Sequence, residues 1–225
     1  MAKLKVGLVG LRRGRQAAAR FSKALVAQLR DLAMEHTRFD VRFLDGWPPP
    51  PERWTLRGID VGEFYASPNP GEELRPLARI ASGGEMSRVM LGIKSLASID
   101  AAGKTLVFDE VDSGIGGRVA DAVGTKLQAL GKNFQVLCIT HLPQIAACGR
   151  HHYRITKSVE AGRTLTGVER LDRAGREVEL ARMLGGAQVT EATRTSAREM
   201  LSHRQGESEH TTKGESERSK AKAHR

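Results

Sequence analysis

The chain has 225 residues, 40% of them hydrophobic and 4% aromatic, with a net charge of +10. That is enough for one large domain with an aliphatic core. No apolar run is long enough to span a bilayer, and the short apolar amino end lacks a small-residue cleavage site, which excludes a membrane span and a signal peptide from the reading.

Charge and chain order come next. Residues 1–30 hold eight Lys/Arg and no acid, the tail 202–225 holds six bases and four acids, and residues 31–201 carry 22 of each sign. Residues 1–14 are therefore read as an unassigned basic arm, either a solvated face or a phosphate-contacting patch. A helix is expected over 15–34, where Phe21, Leu25, Leu29 and Leu32 recur at spacings of four, four and three. Residues 39–43 alternate as a strand does. Trp47 with Pro48 to Pro51 must be a loop, because consecutive prolines enter neither a sheet nor a helix interior. A short strand at 59–66 precedes the turn cluster Ser67-Pro68-Asn69-Pro70-Gly71.

The middle of the chain predicts a helix over 83–99, a strand over 104–109, a helix over 117–131 and an apolar strand over 134–140. Strand, helix and strand in that order make a βαβ unit with buried parallel strands. A short helix follows His141, and 153–157 with 163–170 form an antiparallel hairpin around Glu160-Ala161-Gly162. Helices at 177–184 and 190–201 are separated by Gly185-Gly186. Beyond His203 no large apolar residue occurs, so the tail is expected to be disordered. Cys138 and Cys148 provide no disulfide framework and are expected as free thiols of a cytoplasmic protein.

Three motifs carry chemistry. Ser82-Gly83-Gly84-Glu85 is a capping-box pattern in front of Val89, Met90, Ile93 and Leu96. Its two glycines leave the first-turn N–H groups bare, which suits an anion; by itself the pattern also describes an ordinary capped helix. Asp109 and Glu110 end an apolar strand, where open α/β sheets collect their ligands. An aspartate there can hold magnesium, and a neighbouring glutamate can take a proton from water; two solvated acids would look the same. His141 follows the next apolar strand and is placed at the same sheet edge as Asp109, where it can contact a terminal phosphate as a donor; by itself a histidine at a strand end is more often structural or simply exposed. Asp112-Ser113-Gly114 adds a polar turn.

Taken together, Ser67-Pro68-Asn69-Pro70-Gly71-Glu72, Ile80-Ala81-Ser82-Gly83-Gly84-Glu85-Met86-Ser87-Arg88, Val107-Phe108-Asp109-Glu110-Val111-Asp112-Ser113-Gly114-Ile115 and Thr140-His141-Leu142-Pro143-Gln144-Ile145-Ala146 resemble the RecN family of SMC-like ABC ATPases. The resemblance covers about residues 15–201. It implies an α/β fold, the carboxyl-terminal lobe of an ABC/SMC-type P-loop ATPase head, with a mainly parallel sheet flanked by helices. Residues 15–35 would be the end of a coiled-coil helix, 36–201 the half-head and 202–225 a polar tail. The resemblance further implies ATP and Mg2+ as cofactors. Ser82, Gly83, Gly84 and Glu85 would be the signature loop, Asp109 the metal acid of Walker B and Glu110 the catalytic base. Asp112 would be the D-loop residue and His141 the switch histidine.

Glu85, where transporter ATPases usually carry Gln, points to the SMC-like branch. No G-x-x-x-x-G-K-[ST] pattern occurs in the 225 residues. A homodimer or a partner supplying that phosphate-gripping half is therefore expected, with DNA as the ligand of the intact family and a cytoplasmic, nucleoid-associated location. ATP binding by these residues alone is expected to be negligible, and the sheet is expected to have an unpaired edge and an uncovered apolar face. The alternatives are a catalytically inactive fragment acting as a dimerisation or DNA-binding module, and a fragment of a transporter-type ABC subunit.

Overall fold

The computed structural model describes residues 2–43, 52, 61–80, 82–96, 104–160, 162–186 and 188–203, with side chains from residue 14 onward. Trp47 to Pro51, residues 59 and 60, and the tail beyond 203 lie outside the described residues, and so do the expectations made for them. Two compact units divide the chain. The first comprises Met1–Ile115 with Leu130–Ile139, and the second Gly116–Ala129 with Thr140–Arg225.

The first unit begins with α1, Ala2–Arg30. Ala, Leu, Arg, Lys and Gln dominate this stretch and no proline interrupts it, so propensity favours one continuous helix. The backbone of the expected basic arm is thus the first half of α1. The helix also stops earlier than the apolar spacing suggests. The Met34 and Leu32 N–H groups both turn back to the Leu29 carbonyl, at 3.1 and 3.0 Å. Ala33 between them takes the left-handed conformation at φ 57°. This is a Schellman-type ending built with alanine where glycine is usual.

Strands β1 (Arg38–Phe43), β2 (Gly62–Ser67) and β3 (Arg75–Pro76) form an antiparallel sheet in the order β1-β2-β3. Its register pairs Phe39 with Ala66 and Val41 with Phe64, so Phe39 and Phe64 are diagonal neighbours on one face. Phe21 of α1 meets both rings, at centroid distances of 6.0 and 5.9 Å. The turn after β2 is held by Ser67 Oγ, which donates to the carbonyls of Asn69 and Glu72 at 3.1 Å each.

Helix α2, Gly83–Leu96, buries Gly84, Arg88, Val89, Leu91 and Gly92. Those positions share one face of a 3.6-residue period. Gly92 marks where α1 crosses: an added Cβ would stand 2.9 Å from Leu25 Cδ1 and 3.3 Å from Leu29 Cδ2. Strands β4 (Thr105–Phe108) and β5 (Gln135–Cys138) pair in parallel, Phe108 opposite Cys138. The mainly parallel sheet expected is realised in this pair; the other strand pairings among the described residues are antiparallel. Val107, at 65% exposure, together with Leu137 and Ile139, gives the ladder an uncovered apolar side.

The second unit holds α3 (Gly117–Leu130, whose last residue counts with the first unit), α4 (Pro143–Cys148), the hairpin β6–β7 (His152–Glu160 and Arg163–Leu171), α5 (Arg173–Gly185) and α6 (191–203). Helices α3 and α4 approach closely at Gly124, where an added Cβ would be 2.6 Å from Cys148 Sγ. Asp172 caps α5 by accepting from the Gly175 N–H at 2.7 Å. The core joins Ala147 of α4, Leu180 and Ala181 of α5, and Ala197 and Leu201 of α6. Arg176 of α5 donates to the carbonyls of Ala147, Gly149 and Arg150, supplying donors to the carbonyl-rich end of α4. The hairpin strands are longer than the sequence pattern indicates, and most of their residues are exposed.

Leu29 is fully buried between α1 and its neighbours. Leu29→Ala should cost about 2–5 kcal/mol, read as a lower urea midpoint with the slope unchanged. In the second unit burial holds His152 below the ordinary imidazole value, with Arg176 acting in the same direction and Glu179 opposing. As pH falls below about 6.5 the unfolded chain gains a proton that folded His152 refuses, so stability declines until the folded value is passed. Glu179 is held down by the hydrogen bond from Arg182, and its contribution is lost at lower pH, below the ordinary carboxylate value. Resistance of the second unit to urea should therefore fall between about pH 7.5 and about pH 5.5, and His152→Gln should flatten that dependence.

Candidate functional site

The first turn of α2 is started by Ser82. Its carbonyl accepts the first helical bond from Met86 at 3.0 Å, and its Oγ accepts from the Glu85 N–H at a long 3.4 Å. That is the serine half of the expected capping box. Gly83 is exposed and Gly84 buried. Beyond β4 the chain turns through Asp109 to Ile115. Asp109 Oδ1 accepts from the Glu110 N–H at 2.9 Å. Glu110 takes φ 55°, a left-handed conformation outside glycine, at a cost of roughly 1–2 kcal/mol. The Ser113 N–H returns to the Glu110 carbonyl at 3.0 Å, and Gly114 supplies the next positive φ, 71°. Backbone strain of this kind persists where surrounding contacts impose it.

Those contacts come from α2. Ser87 Oγ donates to the Asp109 carbonyl at 2.6 Å. Arg88 Nη1 donates to the Ser113 carbonyl at 2.8 Å and to the Val111 carbonyl at 3.4 Å. The two glycines allow this approach. A Cβ on Gly83 would collide with Glu110 Oε2, and one on Gly84 would lie 2.8 Å from Ser113 Cβ and 3.0 Å from the Glu110 carbonyl. Glycine is needed here because another backbone and a carboxylate lie against the helix start.

The first unit thus brings Ser82, Gly83, Gly84, Glu85, Asp109, Glu110 and Asp112 together on a helix turn and the loop it holds. Asp109 and Glu110 are exposed. Asp112, expected on the nucleotide side, is only 3% exposed and faces the protein. His141 belongs to the second unit and is exposed there; Ile139, two residues earlier, donates to the Phe108 carbonyl at 2.9 Å. Burial, with Asp112 and Asp109 adding to it, pushes the Cys138 thiol up to about 12, so the thiol stays protonated and unreactive. Ser87 and Arg88 stand in the quoted motif, but the sequence reading gave them no role. The available signal was Arg88 four residues after Gly84, on the face that carries Leu91 and Gly92.

Among the described residues no three His, Cys, Asp or Glu side chains are grouped so that they could hold a metal ion by themselves. Magnesium does not require one: it is commonly held by one or two carboxylates, with phosphate and water oxygens completing the shell. Exposed Asp109 at the end of a strand fits that requirement. A phosphate at the start of α2 fits only after the Glu110 carboxylate leaves Gly83, because two anions would otherwise share the place.

Gly84→Ala should push against loop backbone and cost about 1–3 kcal/mol. Ser82→Ala, which loses one long cap bond, should stay near 0.5 kcal/mol, roughly the low end for a cap. Urea titrations of the two variants check the order.

No family model matches the chain. Among curated proteins it is 43% identical over 190 residues to the DNA repair protein RecN of Halalkalibacterium halodurans, covering 83% of this chain and 33% of that one. It is 42% identical over 184 residues to the DNA repair protein RecN of Vibrio cholerae, with 82% and 32% covered. It is 44% identical over 178 residues to that of Deinococcus radiodurans, with 79% and 30% covered. Among solved structures it is similar to the Smc head domain with a coiled coil and joint from Pyrococcus yayanosii, at TM-score 0.46 and 15% identity, covering 71% of this chain and 28% of that one. It is also similar to the SMC head domain from Thermotoga maritima, at TM-score 0.36 and 19% identity, with 73% and 52% covered. The chain spans about a third of the length of the curated relatives it matches. The α/β chain is homologous to the RecN DNA repair proteins over most of its own length.

Proposed function

We propose that this chain is the carboxyl-terminal part of a RecN-type ATPase head acting in DNA double-strand-break repair. Hydrolysis then needs a phosphate-gripping lysine loop from the part of RecN that has no counterpart in these residues, in a homodimer or from a partner. The observation that carries the reading is the packing of the Ser82-Gly83-Gly84 turn on the Asp109–Ser113 loop. It sets a glycine-bearing helix start beside two exposed carboxylates, the ingredients for handling a magnesium-bound phosphate.

In this reading Glu110 orients a water and accepts its proton. Asp109 holds magnesium, which supplies charge neutralisation on the phosphate oxygens. Ser82, Gly83 and Gly84 contact the nucleotide across the dimer, with Glu85 and Asp112 beside them, and His141 donates to the terminal phosphate. Glu110 leaves Gly83 before that phosphate arrives. Identity to RecN over most of the chain supports the assignment. Among the described residues no helix is long and apolar enough to cross a membrane, and the proposed location is the nucleoid.

The test combines this chain with an amino-terminal portion of RecN that contains the lysine loop. Glu110→Gln should lower the ATP turnover of the pair by about 10²–10⁴-fold, the span of a lost general base, and trap an ATP-bound dimer. Unchanged turnover overturns the role of Glu110, and absence of turnover in the unaltered pair overturns the activity.

A further inference from the structure

We infer that Ser87 and Arg88 are positioning residues that latch the acid loop to α2, so that the helix start and the base move as one piece. The functional half of this inference rests on the proposed hydrolysis. Arg88 is 7% exposed. A guanidinium removed from water is costly unless its donors are used. Its Nη1 meets two backbone carbonyls of the loop, Val111 and Ser113. Ser87, the preceding residue, meets a third at Asp109. The bonded carbonyls lie on both sides of Glu110, whose left-handed φ and place against Gly83 are thereby imposed from outside the loop.

The latch uses backbone oxygens alone. It leaves the carboxylates of Asp109 and Glu110 available for chemistry while fixing the chain that carries them. It also gives a route from one end of the site to the other. A ligand at the first turn of α2 displaces Ser87 and Arg88 with that turn, and the Asp109–Ser113 backbone must follow or lose its donors. Arg88 Nε is buried without a hydrogen-bond partner, so the guanidinium sits in this pocket for the two carbonyls its Nη1 reaches rather than for full satisfaction of its donors. Lysine, a point charge on a flexible stem, cannot offer the same planar fork.

Hydrogen exchange of the full chain tests the latch directly. Arg88→Met should speed exchange of the amides in 109–115 by about tenfold or more, as expected for loss of a buried bond to a charged group, while amides of α5 keep their protection. Ser87→Ala, which removes one bond, should speed the same segment less, and it decides the matter if Arg88→Met leaves α2 unfolded. In the reconstituted pair, Arg88→Met should lower kcat by roughly tenfold with KM for ATP unchanged, and Arg88→Lys should restore part of it. Unchanged exchange in both Arg88→Met and Ser87→Ala overturns the latch. Faster exchange with kcat unchanged overturns the coupling. A pair that hydrolyses no ATP even with Ser87 and Arg88 in place overturns only the proposed activity, because the exchange measurement still decides whether the latch exists.

Discussion

One buried guanidinium constrains the acid loop and the helix start it lies on. Arg88 comes off the buried face of α2 and reaches the backbone of the loop that follows β4. A charge in that position is tolerable only with hydrogen-bond acceptors close by, and the acceptors available are loop carbonyls. The loop has little internal structure of its own beyond two turn bonds, Ser113 to Glu110 and Ile115 to Asp112. Its shape is therefore set by the helix it lies on. The glycines at 83 and 84 follow from the same constraint, since a methyl group at either position would occupy space the loop already fills.

Helix α2 is in turn fixed by α1. The crossing at Gly92 brings Leu25 and Leu29 within van der Waals reach of the α2 backbone, and both leucines are fully buried. Hydrophobic contact supplies the holding force and glycine supplies the close approach. The aromatic group Phe21, Phe39 and Phe64 extends that contact to the antiparallel sheet. A chain of packing thus runs from α1 through α2 to the acids within one unit. The parallel β4–β5 pair provides the base from which the acid loop springs, and one side of it is apolar and uncovered.

Much of the arrangement was legible in the sequence. The βαβ order, the short helix after His141 and the hairpin follow from apolar periodicity and turn residues, and the paired acids follow from a strand that ends in two carboxylates. The length of α1 was not legible, because the apolar stripe begins at Phe21 while helix propensity extends to Ala2. The hairpin strands outrun their pattern for a related reason. Most of their residues are exposed, so no buried face imposes an alternation that reading could detect.

Residue identities alone determine the kinds of group present: a glycine-rich helix start, adjacent carboxylates, a histidine after a strand, and the likeness to RecN that these carry in combination. Only tertiary structure decided that Asp112 faces inward, that Glu110 rests against Gly83, and that Ser87 and Arg88 hold the loop. Those outcomes depend on contacts between segments some 22 to 27 residues apart. Local periodicity records which side of a helix is buried, and says nothing of which carbonyl awaits a buried arginine there.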